Sequence, residues 1–270
     1  GPNGAGKTTT ISMIAGIVPL SEGEIHVAGT CVVREAKRAK SMLGLVPQEL
    51  ALYEALSPEQ NLRFFGQLYG LEGPVLTTRI EDALHMAGLR DLANEPVRTF
   101  SGGMKRRLNI AVGMLHTPKL LILDEPTVGV DPQSRAHIFE CLRRIASESD
   151  TGILYTSHQL NEAEELCSKV AIMDRGRLLA FDRLDVLLDR GETTRVRFRV
   201  AHSTDEAVRL ASRYGSVSLT HGEIEVALDD TLSPLILALE SHLIPIEDFR
   251  IERPTLHGLF LDLTGHELRD

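Results

Sequence analysis

No stretch of this sequence is apolar for long enough to cross a membrane. The longest candidates lie around Leu120–Leu123 and Leu235–Leu239, far short of the roughly 20 residues that a spanning helix needs. Cysteine is scarce too. Cys31, Cys141 and Cys167 stand far apart with no C-x-x-C pair, so neither a disulfide framework nor a zinc site is indicated, and a reducing cytoplasm is the expected setting. Net positive charge is missing: 29 Lys and Arg against 38 Asp and Glu leave −9. That argues against a nucleic-acid surface as the main partner and leaves room only for a local basic patch. There are no internal repeats and no low-complexity segment. What remains, 270 residues with 43% hydrophobic and 25% charged, is an ordinary globular composition sized for one large domain or two small ones.

The residues that are present begin with a motif. Gly1-Pro2-Asn3-Gly4-Ala5-Gly6-Lys7-Thr8 reads G-x-x-x-x-G-K-T, the Walker A phosphate-binding pattern. Glycines let successive backbone N–H groups turn inward around phosphate oxygens. A helix expected from Lys7 to about Ile17 points its positive end at the same place. Lys7 would reach the β- and γ-phosphates and the Thr8 hydroxyl would ligate Mg²⁺. Gly1, Asn3, Gly4, Ala5, Gly6, Lys7, Thr8 and Thr9 are therefore the candidate nucleotide contacts. Such a loop is normally fed by a buried strand, and the chain starts with Gly rather than Met. The sequence is accordingly expected to be a fragment lacking that strand, with weak ATP binding and low stability on its own.

Further along, Glu24–Ala28 alternates like a strand closed by Gly29. Arg34–Lys40 reads as a charged helix whose Lys37, Arg38 and Lys40 form a solvated face rather than an anion contact. Met42–Val46 is a short apolar strand ending at Pro47-Gln48. From Ser57 to about Leu115 the pattern is helical, broken at Gly73-Pro74 and Glu95-Pro96. Leu62, Phe65, Leu68 and Tyr69, then Ile80, Leu84, Ala87 and Leu89, read as core packing. Ser101-Gly102-Gly103 starts a helix with Ser101 as N-cap. It reads either as a second phosphate-binding turn or as a plain capped helix start with Lys105, Arg106 and Arg107 solvated.

Leu120–Leu123 is uniformly apolar, as suits a parallel strand buried on both faces, and it ends in Asp124-Glu125-Pro126. Acids at the C-terminal end of such a strand sit where open α/β sheets bind ligands. Asp124 would hold Mg²⁺ through water and Glu125 would polarise an attacking water. Asp131 starts a helix running to about Ala146. Gly152–Ser157 is a further buried strand, and His158 follows it at the same edge as Asp124. Leu160–Cys167 is a short acidic helix, and Val170–Met173 with Arg177–Ala180 form a hairpin around Gly176.

The order Walker A, Gln48, Ser-Gly-Gly, Asp-Glu-Pro, Asp131, His158 resembles the ATP-binding cassette (ABC) ATPases over residues 1 to about 190. The wording, with Met104 after Ser-Gly-Gly and Thr127–Asp131, is most similar to the bacterial exporter group related to the daunorubicin-resistance ATPase and to CcmA. The resemblance implies an α/β P-loop fold with a helical subdomain over about 57–115, ATP and Mg²⁺ as ligands, and ATP hydrolysis coupled to export. It implies Lys7 and Thr8 on phosphate and metal and Gln48 sensing Mg²⁺. It gives Ser101, Gly102 and Gly103 to the γ-phosphate of the opposite subunit. Asp124 becomes the Walker B acid, Glu125 the base, Asp131 the acid of the D-loop and His158 the switch histidine. Two cassettes, a homodimer or a pair with a second ABC subunit, would close head-to-tail over two ATPs. They would drive a separate integral membrane permease from the cytoplasmic face of the cell membrane, with no nucleic-acid partner. The alternative is a soluble ABC ATPase acting on ribosomes or nucleic acid, which usually carries tandem cassettes or a long coiled-coil insert.

Gly191-Glu192-Thr193 reads as a linker. Residues 194–270 then follow the order β-α-β-β-α-β, with a hairpin turn at His221-Gly222, and give a small α+β domain of split βαβ type. The tail around Pro254–Gly265 is also similar to the exporter ATPases. No catalytic constellation is visible there, and the expected role is a stabilising or dimer-supporting appendage.

Overall fold

The computed structural model describes residues 1–189, 194–202, 204–220, 223–229, 231–252 and 254–265. The linker Gly191-Glu192-Thr193 and the turn His221-Gly222 lie outside the described residues. The chain divides into two compact units, Gly1–Leu166 with Met173–Arg177, and Cys167–Ile172 with Leu178–Asp270.

The glycine-rich loop leads into α1 (Lys7–Ile14), which stops three residues before the expected Ile17. Gly16 ends it with a left-handed φ of 65°. The Gly16 N–H bonds the Met13 carbonyl and the Ile17 N–H reaches back to Ser12, a closure that satisfies the last carbonyls. The strand expected over Glu24–Ala28 shrinks to β1 (His26–Val27), paired with β2 (Thr30–Cys31). Ala28 and Gly29 both have positive φ, 47° and 78°, so a tight hairpin turn claims Ala28. α2 (Ala36–Ser41) is exposed apart from Ala39, and its basic side chains are solvated.

After β3 (Leu43–Val46) come α3 (Pro58–Leu68), α4 (Gly73–Ala87) and α5 (Gly102–Met114). α3 starts with a reciprocal cap: Ser57 accepts from the Gln60 N–H and the Gln60 side chain accepts from the Ser57 N–H, worth about 1 kcal/mol. Gly73-Pro74 opens α4 instead of standing as a break before it, because proline is tolerated in a first helical turn. Leu62, Ile80, Leu84, Ala87 and Leu89 join one core with Leu108 and Leu115, and Phe65 packs against it. Leu68 and Tyr69 do not: they are 68% and 41% exposed. The α3 stripe that faces the core is narrower than its apolar residues suggest, and Tyr69 instead stacks on His116, with ring centroids 3.9 Å apart.

β4 (Leu120–Asp124), α6 (Pro132–Glu148), β5 (Gly152–Thr156) and α7 (Leu160–Leu166) follow. β3, β4 and β5 form a parallel sheet with β4 in the middle, in register Val46↔Leu123 and Asp124↔Thr156. Leu121, Ile122 and Leu123 are fully buried: Leu121 and Leu123 pack with Ile110 of α5 and Ile138 and Leu142 of α6 on one face, and Ile122 packs with Ile11 and Leu43 on the other. β5 is half-exposed rather than buried, since among the described strands it pairs on one side alone. Parallel register brings all three C-terminal ends to one edge, so Gln48, Glu125 and His158 leave the sheet together.

β6 (Lys169–Asp174) and β7 (Arg177–Arg183) pair across the turn at Arg175-Gly176, and α8 (Leu184–Asp189) follows. Then come β8 (Arg195–Val200), α9 (Thr204–Ala211), β9 (Gly215–Thr220), β10 (Glu223–Leu228), α10 (Ser233–Ser241), β11 (Ile246–Glu252) and α11 (Leu256–Thr264). The sheet order is β11-β8-β10-β9, antiparallel throughout, the split βαβ arrangement expected from sequence. Val196, Phe198, Val200, Ile224 and Val226 turn inward against Leu210 of α9 and Leu235 and Leu239 of α10. Alternate residues carry Arg195 and Arg197 to Glu225 and Arg199 to Glu223. Helices and sheets mix throughout as an α/β fold, and no helix among the described residues is long and apolar enough to cross a membrane.

Candidate functional site

The loop before α1 takes its shape from Gly4 and Gly6, whose φ values of 75° and 100° lie in the left-handed region where other residues are strained. Gly6 is the N-cap of α1 and no side chain caps it, so the first helical N–H groups are left for an incoming acceptor. The tip of the β6–β7 turn braces the loop. The Gly176 N–H donates to the Ala5 carbonyl at 2.9 Å, and a Cβ at Gly1 would stand 2.3 Å from the Met173 carbonyl oxygen. Ala5 is buried, whereas Asn3, Gly4, Thr8 and Thr9 are exposed.

The Lys7 side chain is 9% exposed. Its ammonium donates to the carbonyls of Gly1 and Pro2 at 2.8 and 2.9 Å and lies 3.0 Å from Glu125 Oε1. Glu125 Oε2 is 3.1 Å from His158 Nδ1. Burial pushes the Glu125 carboxyl up. Hydrogen bonds and charge from Lys7 and His158 outweigh it and hold the group below the usual range. The Glu125 backbone is itself left-handed, with φ 46°, a strain that non-glycine residues carry at functional turns. Asp124 is buried and accepts from the Thr156 hydroxyl at 2.8 Å, and the same hydroxyl accepts the Glu125 N–H.

A cleft of about 560 Å³ gathers Asn3–Thr9, Gln48, Glu125, Val128 and His158. Asp124, Gly1, Ser101–Gly103 and Asp131 are not among its lining. The last two motifs instead meet each other. Ser101 caps α5 through the Met104 N–H and Asp131 caps α6 through the Ser134 N–H. Hydrogen bonds from Ser134 hold the exposed Asp131 carboxyl below its usual range. A Cβ at Gly103 would stand 2.3 Å from Ser134 Cβ, so the two helix starts touch at a point where only glycine fits.

Two groups escaped the sequence reading. Lys105, Arg106 and Arg107, solvated in the plain capped-start reading, all have partners. Lys105 meets Glu54 at 2.6 Å, and Arg107 donates to the Ala87 carbonyl at 2.6 Å. Arg106, 5% exposed, donates to the carbonyls of Pro47 at 2.8 Å and Gln48 at 2.5 Å. Burial lowers its pKa. The available signal was periodicity: Gly103, Arg106, Ile110 and Gly113 share a helix face. Glu162, one of three acids on α7, is 1% exposed, and no sequence signal separates it from its acidic neighbours.

Chemically, the cleft offers backbone donors, an ammonium and a carboxylate–imidazole pair around one space. No group of three or more His, Cys, Asp or Glu among the described residues could hold a metal unaided. Thr8 and Gln48 line the cleft and Asp124 ends β4; a hydroxyl, a carboxamide and a carboxylate are oxygen donors of the kind that could hold Mg²⁺ together with phosphates and waters.

A parallel sheet whose strand ends deliver these groups to a glycine-rich loop and helix defines a P-loop nucleotide triphosphatase. The comparisons narrow the class. Residues 1–128 match the family described as ABC transporter. The linearmycin resistance ATP-binding protein LnrL of Bacillus subtilis is 39% identical, over 100% of this chain and 89% of that protein. The daunorubicin resistance ATP-binding protein DrrA3 of Streptomyces coeruleorubidus is 36% identical, over 100% and 87%. Among solved structures, cbiO1 of Clostridium perfringens, part of the ABC transporter complex cbiONQ, superimposes with a TM-score of 0.65. It is 28% identical, over 70% of this chain and 77% of that one. The chain belongs to the ATP-binding proteins of the ABC transporter family, and it is an ABC-type ATPase.

Proposed function

We propose that this chain is the motor subunit of an ABC exporter, hydrolysing ATP in a composite dimer to drive a separate membrane permease. The observation that carries this is the Lys7–Glu125–His158 chain at the end of the parallel sheet. Relatives named for linearmycin and daunorubicin resistance support export. The substrate class is left to the permease.

In this reading the N–H groups of Gly4–Thr9 and the Lys7 ammonium bind the ATP phosphates. Thr8, Gln48 and Asp124 hold Mg²⁺, which neutralises charge developing on the phosphates. Lys7 cannot serve a phosphate and keep all three of its partners. As it turns to phosphate, Glu125 loses the chief group that lowers its pKa and becomes a better acceptor for the proton of an attacking water. His158 holds the other carboxylate oxygen and so orients the base. Ser101, Gly102, Gly103 and Asp131, grouped away from the cleft, complete the site of a second subunit. We place the ATP-binding domain over 1–190, with a helical subdomain over about 57–115, and an accessory α+β domain over 194–270, whereas the compact units put Cys167–Ile172 and the chain from Leu178 in the second body. The working location is the cytoplasmic face of the membrane.

The test is sizing of a Glu125→Gln variant with and without Mg-ATP, alongside its ATP turnover. The expected result is a dimer with ATP alone, and turnover reduced by about 10²–10⁴-fold, the usual weight of a general base. Unimpaired turnover would overturn the assignment of Glu125, and a monomer under both conditions would count against the composite site.

A further inference from the structure

Glu162 is a buried acid that the mechanism above leaves unused, and burying a carboxylate is costly unless every lone pair has a donor. Here donors surround it. Its Oε1 accepts from the Thr127 hydroxyl at 2.8 Å and lies 3.7 Å from an Arg135 nitrogen. Its Oε2 accepts from the Tyr155 hydroxyl at 2.8 Å and the Ser157 hydroxyl at 2.5 Å. The origin of these donors matters. Thr127 stands two residues past Glu125, on the turn leaving β4. Ser157 stands one residue before His158, on the turn leaving β5. Arg135 also donates to Gln159 at 3.0 Å, and the Gln159 N–H bonds the Ser157 hydroxyl at 2.9 Å. One carboxylate therefore ties together the two turns that carry Glu125 and His158, which meet at 3.1 Å.

We infer that Glu162 is a positioning residue for ATP hydrolysis, holding the His158 turn in register with the Glu125 turn. This rests on the roles proposed above for Glu125 and His158. A helix-borne apolar residue at 162 would fill the space but would take the shared acceptor from three hydroxyls and uncouple the two turns, with Thr127 and Tyr155 still meeting each other at 3.1 Å on one side and Ser157 still paired with Gln159 on the other. Because Glu162 touches neither the cleft nor the phosphate loop, its loss should act on turnover and spare nucleotide affinity.

The experiment is steady-state ATPase kinetics and thermal melting of the wild type, Glu162→Ala, Glu162→Gln, His158→Ala and the Glu162→Ala/His158→Ala double variant. Glu162→Ala is expected to lower kcat about tenfold or more with KM for Mg-ATP within about twofold, and Glu162→Gln, which can still bridge the hydroxyls, recovers most of that loss. In the His158→Ala background the same substitution should cost less than about twofold, because there is no histidine left to position. If Glu162→Ala does not fold, Ser157→Ala removes one donor and carries the same cycle. Equal losses in both backgrounds, or a lowered melting temperature with kcat unchanged, would show a scaffolding role and overturn the inference. If His158→Ala leaves turnover intact, the reading of His158 falls and this one with it. If His158→Ala lowers turnover and Glu162→Ala does not, the positioning role alone falls.

Discussion

Gly103→Ala should damage the molecule through one contact that can be repaired at a distance. The added Cβ would sit 2.3 Å from Ser134 Cβ and 2.4 Å from its hydroxyl oxygen, closer than such atoms approach. Both residues lie in first helical turns, α5 and α6, that are capped and packed, so neither can retreat freely. Overpacking of this kind costs about 1–3 kcal/mol. At about 2–4 °C per kcal/mol for a body of this size, the melting temperature should fall by about 2–12 °C. Adding Ser134→Gly removes both offending atoms and leaves Ser134 Cα, 3.3 Å away, as the next neighbour. The Ser134 N–H that caps onto Asp131 survives the change, while the hydroxyl's bond to the same carboxylate is lost. Glycine in place of serine costs roughly 0.5 kcal/mol of helix propensity, so the double variant should be more stable than Gly103→Ala alone. Thermal melts of the four proteins read the coupling directly. A Gly103→Ala protein that melts like the wild type, or a Ser134→Gly change that restores nothing, would refute the contact argument.

Two other perturbations follow from the site. Lys7→Met removes the chief group that keeps the Glu125 carboxyl low. A depressed carboxyl contributes stability that is present above its unfolded pKa and lost as pH falls through the folded one. The stability gap between wild type and variant should therefore hold from neutral pH down to about pH 5 and close in stronger acid; urea melts across pH test this, and a gap indifferent to acid would count against the pair. Arg106→Met fills the same volume without the bonds to Pro47 and Gln48, and should cost about 1.5–3 kcal/mol, as for hydrogen bonds made by a charged group. Loss of turnover should accompany the lower denaturation midpoint, because Gln48 then loses its anchor.

Much of the fold was readable because it depends on patterns that composition cannot hide. The four apolar residues Leu120–Leu123 suit a strand buried on both faces, and the acids after them then emerge at its end. The alternation of Val196, Phe198 and Val200 gave the face of β8 in the same way. What escaped the reading shares a physical cause. Arg106 and Glu162 are charged and buried, and charge reads as exposure until three-dimensional partners are known. The helix end at Ile14 and the short β1 turned on a single glycine or turn residue taking positive φ, which local pattern does not reveal. Tyr69 looked like core and faces outward, since the width of a buried helix stripe is set by its neighbours. Within the candidate site, the residue types were legible, while the Lys7–Glu125 pairing and the contact between the α5 and α6 starts required the fold.

Glu125 stands at a left-handed backbone position, where glycine or asparagine would sit with less strain. A search for sturdier versions of this protein, whether by selection for heat resistance or by sequence design scored on folding alone, will therefore drift toward replacing this carboxylate. With Glu125 as the proposed base, its strain sets durability against turnover, and any stabilised variant has to be asked first what it kept at residue 125.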